Sequence, residues 1–251
     1  GKSNLEHILD ECIDAGIKEF IFIISKNKES IKKYFFNDNF YKSILAKKKD
    51  KRIKEVFEKL KVYQKMIKFV YQNKPRGTGD AILKCKKYIK DSHFLMLFPD
   101  DLIIKKNCSK EMIMLHKKTK GSIIATKIVN KKDVSRYGIL SVREKKKNYF
   151  TIKNVVEKPN LITAPSNYAI IGRYILPKTI MPKLKNLKPG LGGEIHVTDA
   201  IKQLIDEGEK FYGNIFKGKY LDCGTLNGYI NSVIQISKEN KWNCAWLEQD
   251  M

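Results

Sequence analysis

The sequence predicts an α/β fold: a mixed, mostly parallel sheet, doubly wound, with flanking helices and a small antiparallel insertion. Three observations predict it. A capped amphipathic helix runs directly into an all-apolar strand, Phe20 to Ile24. Short apolar runs then keep alternating with helix-period segments, as in a sheet covered on both faces. From Tyr137 the alternation changes character, and two strand-like runs flank a charged turn, which reads as a hairpin inserted in the parallel pattern.

In chain order, Ser3-x-x-Glu6 is a capping box, followed by Leu5, Ile8, Leu9, Cys12 and Ile13 at helical spacing and closed by Gly16. Residues 30–66 are lysine-rich and mostly helical, with an apolar face of Ile44, Leu45, Ile53, Val56, Phe57 and Leu60, and are expected outside the central sheet. Ile67 to Gln72 is a strand; Gly77-Thr78-Gly79 leads into a helix carrying Ala81, Ile82, Cys85 and Ile89. The apolar run Phe94 to Phe98, too short for a helix and stopped by Pro99, predicts a strand buried on both faces. A helix over 109–120 with Ser109 as N-cap and a buried strand over 122–129 follow. The antiparallel pair is Tyr137 to Val142 with Tyr149 to Ile152, and Asn167 to Leu176 is a further strand. Pro177 is expected to open a helix containing Ile180, Met181 and Leu184. Gly190 to Glu194 is a turn before a helix with Val197, Ala200, Ile201, Leu204 and Ile205, ended by Gly208. The last strands are Phe211 to Phe216 and Tyr220 to Asp222, and Leu226 to Trp242 is helical, with Trp242, Trp246 and Leu247 packing onto the body or a neighbouring subunit.

Composition bounds the function classes. With 251 residues, 42% of them hydrophobic, the chain can build one large α/β domain or two smaller ones. No apolar run approaches the roughly 20 residues that span a bilayer, and Gly1-Lys2-Ser3-Asn4 lacks a signal peptide's apolar stretch, so a soluble protein without a membrane partner is expected. Five scattered cysteines with no CxxC pair indicate neither a zinc site nor a disulfide framework, and a reducing cytoplasm fits them. The net charge of +23 invites a nucleic-acid reading, but only five of the 50 basic residues are Arg and the lysines are spread along the chain. No nucleic-acid partner is expected.

Several residues are placed to do chemistry. Asp100 follows a buried strand, and in open α/β sheets the ligand crevice lies at the carboxyl ends of the strands, where a carboxylate could hold Mg²⁺ against a phosphate. The plainer alternative is that Asp100 and Asp101 cap the next loop. Asp222, like Asp100, ends an apolar run. Gly77 and Gly79 either bring backbone close to a ligand at a helix N-terminus or make a tight turn. In Glu157-Lys158-Pro159 the two side chains could face a polar ligand together, the lysine meeting a phosphate and the glutamate accepting from hydroxyls, or they could form a surface ion pair.

Taken in order, these motifs resemble the bacterial UTP:glucose-1-phosphate uridylyltransferases, sugar nucleotidyltransferases with a Rossmann-like core. The resemblance rests on Gln72 with Gly77-x-Gly79-x-Ala81, on Pro99-Asp100-Asp101, on Tyr137-Gly138 and on Val156-Glu157-Lys158-Pro159. It continues through Ser166-Asn167-x-Ala169-Ile170-x-Gly172-Arg173-Tyr174, Gly193-Glu194-Ile195-x-Val197-Thr198-Asp199 and Leu221-Asp222-Cys223-Gly224. It implies the substrates UTP and glucose 1-phosphate, with Mg²⁺ on Asp100 and Asp222. Gln72 and Gly77 would meet the uracil; Gly138, Glu157, Lys158 and Asn167 would hold the sugar phosphate, with Asp100 and Lys158 as the catalytic groups. A homo-oligomer, dimer or tetramer, is implied as well. A thymidylyltransferase acting on glucose 1-phosphate and a non-catalytic nucleotide-sugar-binding relative are the alternatives. One departure stands out: the family's first strand, its glycine-rich phosphate loop and the short Pro-Lys-Glu segment after it are missing before Gly1. The sequence therefore reads as a single domain without them, either a fragment of a longer protein or a naturally shortened relative, and as written is expected to be inactive or nearly so.

Overall fold

A computed structural model of the chain describes residues 2–47 and 51–239. Helix α1 (Asn4–Asp14) starts at the predicted capping box: Ser3 Oγ accepts from the Glu6 amide while the Ser3 amide donates to Glu6 Oε2 at 2.8 Å. It buries Ile8, Leu9 and Cys12. Strand β1 (Phe20–Ile24) pairs in parallel with β2 (Ile67–Tyr71), Phe20 opposite Ile67 and Ile24 opposite Tyr71. Between them lie α2 (Glu29–Phe36), α3 (Asp38–Lys47) and α4 (Lys51–Met66). Phe35 of α2 and Leu60 and Tyr63 of α4 pack with Ile8, Leu9 and Phe20 in one core, which keeps this lysine-rich segment outside the larger sheet. An amphipathic stripe, not propensity, holds these short helices.

Helix α5 (Thr78–Lys84), β3 (His93–Leu97), β4 (Asp101–Ile104), α6 (Cys108–Thr119) and β5 (Ser122–Ile128) follow, then the hairpin β6 (Gly138–Lys145) and β7 (Tyr149–Glu157). Strand β8 (Tyr168–Pro177), α7 (Ile180–Asn186), α8 (Val197–Asp206), β9 (Phe211–Ile215), β10 (Lys219–Asp222) and α9 (Leu226–Glu239) complete the described chain. Six strands form one sheet in the order β3-β8-β5-β9-β7-β6, and Ile139 of β6 pairs again with Ala169 of β8. A separate antiparallel ribbon joins β10 to β4, with Asp222 opposite Asp101. The main core lies between the sheet and α5, α7 and α8, built from Ile82, Ile124, Phe150, Tyr174, Leu184, Ile201 and their neighbours.

The α/β class, the flanking helices and the antiparallel hairpin are as expected from sequence. Strand directions are more mixed than alternation alone conveys: among the described residues only β1 with β2 and β5 with β9 pair in parallel. Strands β3 and β5 run the same way, but β8 lies reversed between them, so both of its ladders are antiparallel. Local departures have local causes. Strand β3 is half-buried along its length because among the described residues it pairs on one side only, with β8. The N-cap of α6 is Asn107, whose side chain accepts from the Lys110 amide, while Ser109 is buried and donates to Glu11. Pro177 closes β8 instead of opening a helix. Cys244, Trp242, Trp246 and Leu247 lie outside the described residues, and among those described no helix is long and apolar enough to cross a membrane.

Candidate active site

Asp100 and Asp222 arrive at the same place from different strands. Asp100 lies in the turn between β3 and β4, Asp222 closes β10, and the Cys223 amide donates to the Asp100 carbonyl at 2.7 Å. Both carboxylates converge on Gly224: a methyl group there would sit 3.1 Å from Asp100 Oδ2 and 3.3 Å from Asp222 Oδ1. Glycine at this position leaves space between two hard oxygen donors. Asp222 Oδ1 also accepts from the Gly224 amide at 3.0 Å, and its Oδ2 accepts from Arg136 Nη2 at 3.1 Å.

Two carboxylates suit a small divalent cation that keeps waters and takes its remaining ligands from substrate phosphate. Among the described residues no group of three or more His, Cys, Asp or Glu side chains is placed to hold a metal, so there the carboxylates come as a pair and not as an all-protein cage. The oxygen-only pair around Gly224 fits Mg²⁺.

The neighbouring Asp101 does different work. Its Oδ2 accepts from the Gly172 amide at 2.9 Å and its Oδ1 from the Tyr220 hydroxyl, and burial pushes its carboxyl above the usual range despite both hydrogen bonds. Gly172 is required for this contact, since a methyl there would lie 2.4 Å from Asp101 Oδ2. Behind the turn, fully buried Arg173 donates from Nη1 to the carbonyls of Phe98 and Gly172 and pairs through Nη2 with Glu11 of α1. Asp101 and Arg173 therefore clamp the turn that presents Asp100.

The hairpin supplies the second group. Gly138 stands opposite Glu157 in the ladder, and a methyl on Gly138 would lie 3.2 Å from Glu157 Oε2 and 2.9 Å from Ile170 Cδ1. Lys158 adopts φ +43 and its amide donates to the Tyr137 carbonyl at 3.1 Å, so the chain turns sharply just as the strand ends. The ion pair that adjacency would allow does not form: among the described residues neither Glu157 nor Lys158 has a charged partner within salt-bridge distance. Asn167 spends an amide hydrogen on the Val129 carbonyl at 3.2 Å and lines an open groove with Lys127, Asn130, Lys131 and Tyr137. Burial, together with the charges of Asp222 and Asp101, raises Tyr137's pKa despite the opposing pull of Arg136, which ties this segment electrostatically to the aspartates.

Gln72 and Gly77 belong to a third group. Gln72 Nε2 donates to the Gly77 carbonyl at 3.1 Å and to Asp80 Oδ2 at 2.8 Å. Both amide hydrogens are thus committed to the loop, and its oxygen is the atom left to accept from a ligand. Gly77 has φ +91, and a methyl there would meet the Ile195 carbonyl at 2.6 Å, so glycine serves the seam between this loop and residues 194–197. The Gly79 amide to the Ile195 carbonyl (2.8 Å) and the Ile195 amide to the Arg76 carbonyl (2.9 Å) complete the seam. Among the described residues no hydrogen bond joins this loop to Asp100; Phe98 and Ile195 anchor the two on one apolar core. The sequence reading overlooked the roles of Arg136, Asp101 and Arg173; the signal for Arg136 was its rarity beside Tyr137-Gly138.

This arrangement is a mixed sheet flanked by helices, with an aspartate pair at strand ends and basic and glycine-containing loops nearby. The chain belongs to the nucleotidyl transferase family, whose profile it matches over residues 1–239. Within that family it is 33% identical over 243 residues to a putative UTP--glucose-1-phosphate uridylyltransferase of Methanocaldococcus jannaschii, covering 95% of this chain and 83% of that protein. It is 31% identical to the UTP--glucose-1-phosphate uridylyltransferase of Bacillus subtilis, covering 96% and 82%. A crystal structure of UDP-glucose pyrophosphorylase complexed with UDP-glucose superposes with a TM-score of 0.82 at 32% identity, covering 95% of this chain and 88% of that one.

Proposed function

We propose that this chain forms UDP-glucose and pyrophosphate from UTP and glucose 1-phosphate. The observation that carries the reading is the near full-length similarity to proteins bearing that activity in their names, at 31–33% identity. A structure named for a putative glucose-1-phosphate thymidylyltransferase shares only 17% identity and speaks to the fold alone.

In the reaction an oxygen of the glucose 1-phosphate phosphate attacks the α-phosphorus of UTP, the bond from that phosphorus to the bridging oxygen breaks, and pyrophosphate leaves with the electron pair. The nucleophile is already anionic, so no general base is needed. The protein's task is to bring anions together and hold them in line. Asp100 and Asp222 would hold Mg²⁺, which supplies positive charge where the phosphates meet. Lys158, free of a carboxylate partner, would neutralise the sugar phosphate, and Glu157 beside Gly138 would accept sugar hydroxyls. Asn167 would border the same pocket. The Gln72 oxygen would accept the uracil N3–H, and the Gly77 carbonyl, held by Gln72, fixes that loop.

The reading carries a cytoplasmic location, where UTP and sugar phosphates are made, and assembly as a dimer or tetramer. The exposed apolar stripe Leu226, Tyr229, Ile230 and Val233 on α9 supports assembly. The test is pyrophosphate release with UTP, glucose 1-phosphate and Mg²⁺, with dTTP in a parallel arm. Slow turnover with UTP preferred over dTTP is expected, whereas preferred turnover with dTTP would move the chain to the thymidylyltransferases. Binding of UDP-glucose without turnover of either nucleotide would make it a non-catalytic relative.

A further inference from the structure

Arg136 stands where the metal pair and the sugar-side hairpin meet. Its guanidinium donates to Asp222 Oδ2 at 3.1 Å and lies 5.5 Å from the ring centroid of Tyr137. The backbone beneath it is fixed: the turn over Lys131–Arg136 is anchored by Val134, 2% exposed and packed with Ile139 and Ala169, and the Tyr137 amide donates back to the Val134 carbonyl at 3.2 Å. The side chain above is open to solvent, with Arg136 53% and Asp222 30% exposed. An exposed ion pair of this kind contributes little and exchanges partners readily. A guanidinium, unlike an ammonium, offers a planar fork that fits carboxylate and phosphate equally well.

We propose that Arg136 competes with the divalent cation for Asp222 and, once displaced, binds substrate phosphate, so that metal loading and phosphate capture are coupled through one side chain. The inference rests on the reading of Asp100 and Asp222 as the cation's ligands. Arg136 holds Asp222 Oδ2 while Oδ1 is the oxygen that faces Gly224, so with the cation on Asp222 two positive charges would crowd the two oxygens of one carboxylate and repel, and Arg136 would turn to a substrate phosphate beside Tyr137-Gly138. Arg136 thus keeps the aspartate pair partly neutralised before loading and supplies a second positive charge afterwards.

The experiment is a Mn²⁺ titration of the purified protein without nucleotide, followed by paramagnetic resonance of the free ion, and a calorimetric titration of UDP-glucose in the presence of Mn²⁺. Arg136→Gln should tighten Mn²⁺ about threefold to tenfold and weaken UDP-glucose about tenfold, the latter matching one lost charge-assisted contact. Arg136→Lys, which keeps the charge but not the fork, should leave Mn²⁺ binding near wild type and still weaken UDP-glucose. Unchanged or weaker Mn²⁺ binding in Arg136→Gln overturns the competition, and an unchanged UDP-glucose affinity overturns the coupling. Asp100→Asn and Asp222→Asn separate the two levels: if neither weakens Mn²⁺, the metal-site reading itself falls. If both weaken it while Arg136→Gln changes nothing, only the role of Arg136 falls.

Discussion

Arg173 of β8 and Glu11 of α1 meet inside the protein, Nη2 to Oε2 at 3.2 Å with the side chains 0% and 8% exposed. The same guanidinium holds the Phe98 carbonyl, two residues before Asp100. Glu11 in turn accepts from the amide and hydroxyl of Ser109 at the start of α6. One buried pair therefore fastens α1, α6 and the turn that carries Asp100 together. Removing one partner leaves a buried charge uncompensated, so Arg173→Met is expected to cost about 3–5 kcal/mol. Urea unfolding followed by circular dichroism measures it, and a loss below about 1 kcal/mol would contradict the clamp.

Adjacent carboxylates make a sharper test. Asp100 faces Gly224 and the open site, whereas Asp101 is locked between the Gly172 amide and Tyr220. Asp100→Asn should lower pyrophosphate release about 10²- to 10³-fold, the size of losing a preorganised charge interaction, and leave the unfolding midpoint unchanged. Asp101→Asn should lower stability by about 1–3 kcal/mol, because an amide cannot accept both hydrogen bonds on its former oxygens. The two variants exchanging these phenotypes would reverse the assignment.

What the sequence made legible follows from the range of each signal. Period and caps are local, so α1, β1 and α8 could be read with their ends nearly right, while the hairpin strands run on past the expected Val142 and Ile152 to Lys145 and Glu157 because pairing, not side-chain type, sets where they stop. Asp100 and Asp222 were legible as acids ending apolar runs. Their convergence on Gly224 was not, because it depends on β10 pairing with β4 across more than a hundred residues of chain. The reversal of β8 between β3 and β5 was hidden for the same reason, since a buried strand reads alike in both directions. Arg173 stood in the stretch of the resemblance that also holds Asn167, and only burial shows that it works from behind the Asp100 turn.

Gly77 separates a backbone requirement from a ligand requirement. Its φ of +91 and the 2.6 Å approach of the Ile195 carbonyl leave no room for a methyl, so Gly77→Ala should open the seam to residues 194–197 and cost about 1–3 kcal/mol. Nucleotide affinity should fall with it, since Gln72 holds the Gly77 carbonyl. Calorimetric binding of UTP beside a thermal melt reads both; a variant that melts normally yet loses UTP would place Gly77 against the nucleotide instead.

Lys158 combines an ammonium without a carboxylate partner among the described residues with a left-handed backbone, φ +43. Lys158→Ala removes the charge and strains the turn, while Lys158→Gly removes the charge and relaxes it. If the ammonium holds the sugar phosphate, both variants raise KM for glucose 1-phosphate about tenfold or more and leave KM for UTP nearly unchanged. Recovery of KM in the glycine variant would show that the backbone, not the charge, is what matters.

His93 and His116 bring their rings to 4.5 Å at the end of β3 remote from Asp100. Burial lowers the His93 pKa from its usual 6.5, the charge of His116 adds to that, and Glu209 opposes it. The sign follows directly. As pH falls below about 6.5 the unfolded chain takes up this proton before the folded one does, so stability declines until the folded imidazole also titrates, and is fully present above 6.5. His7 acts in the same direction, through burial first and the nearby Lys2 second. Asp10 acts lower: burial pushes it up, but hydrogen bonds from Lys2, Lys59 and Tyr63 hold it below 3.8, so its contribution is lost only as pH falls through that region. Melting temperatures measured from pH 7.5 to 5 should therefore drop in the wild type, drop less in His93→Gln, and least in the His7→Gln/His93→Gln double variant. A slope that is unchanged in the double variant would assign the acid sensitivity to groups other than these two imidazoles.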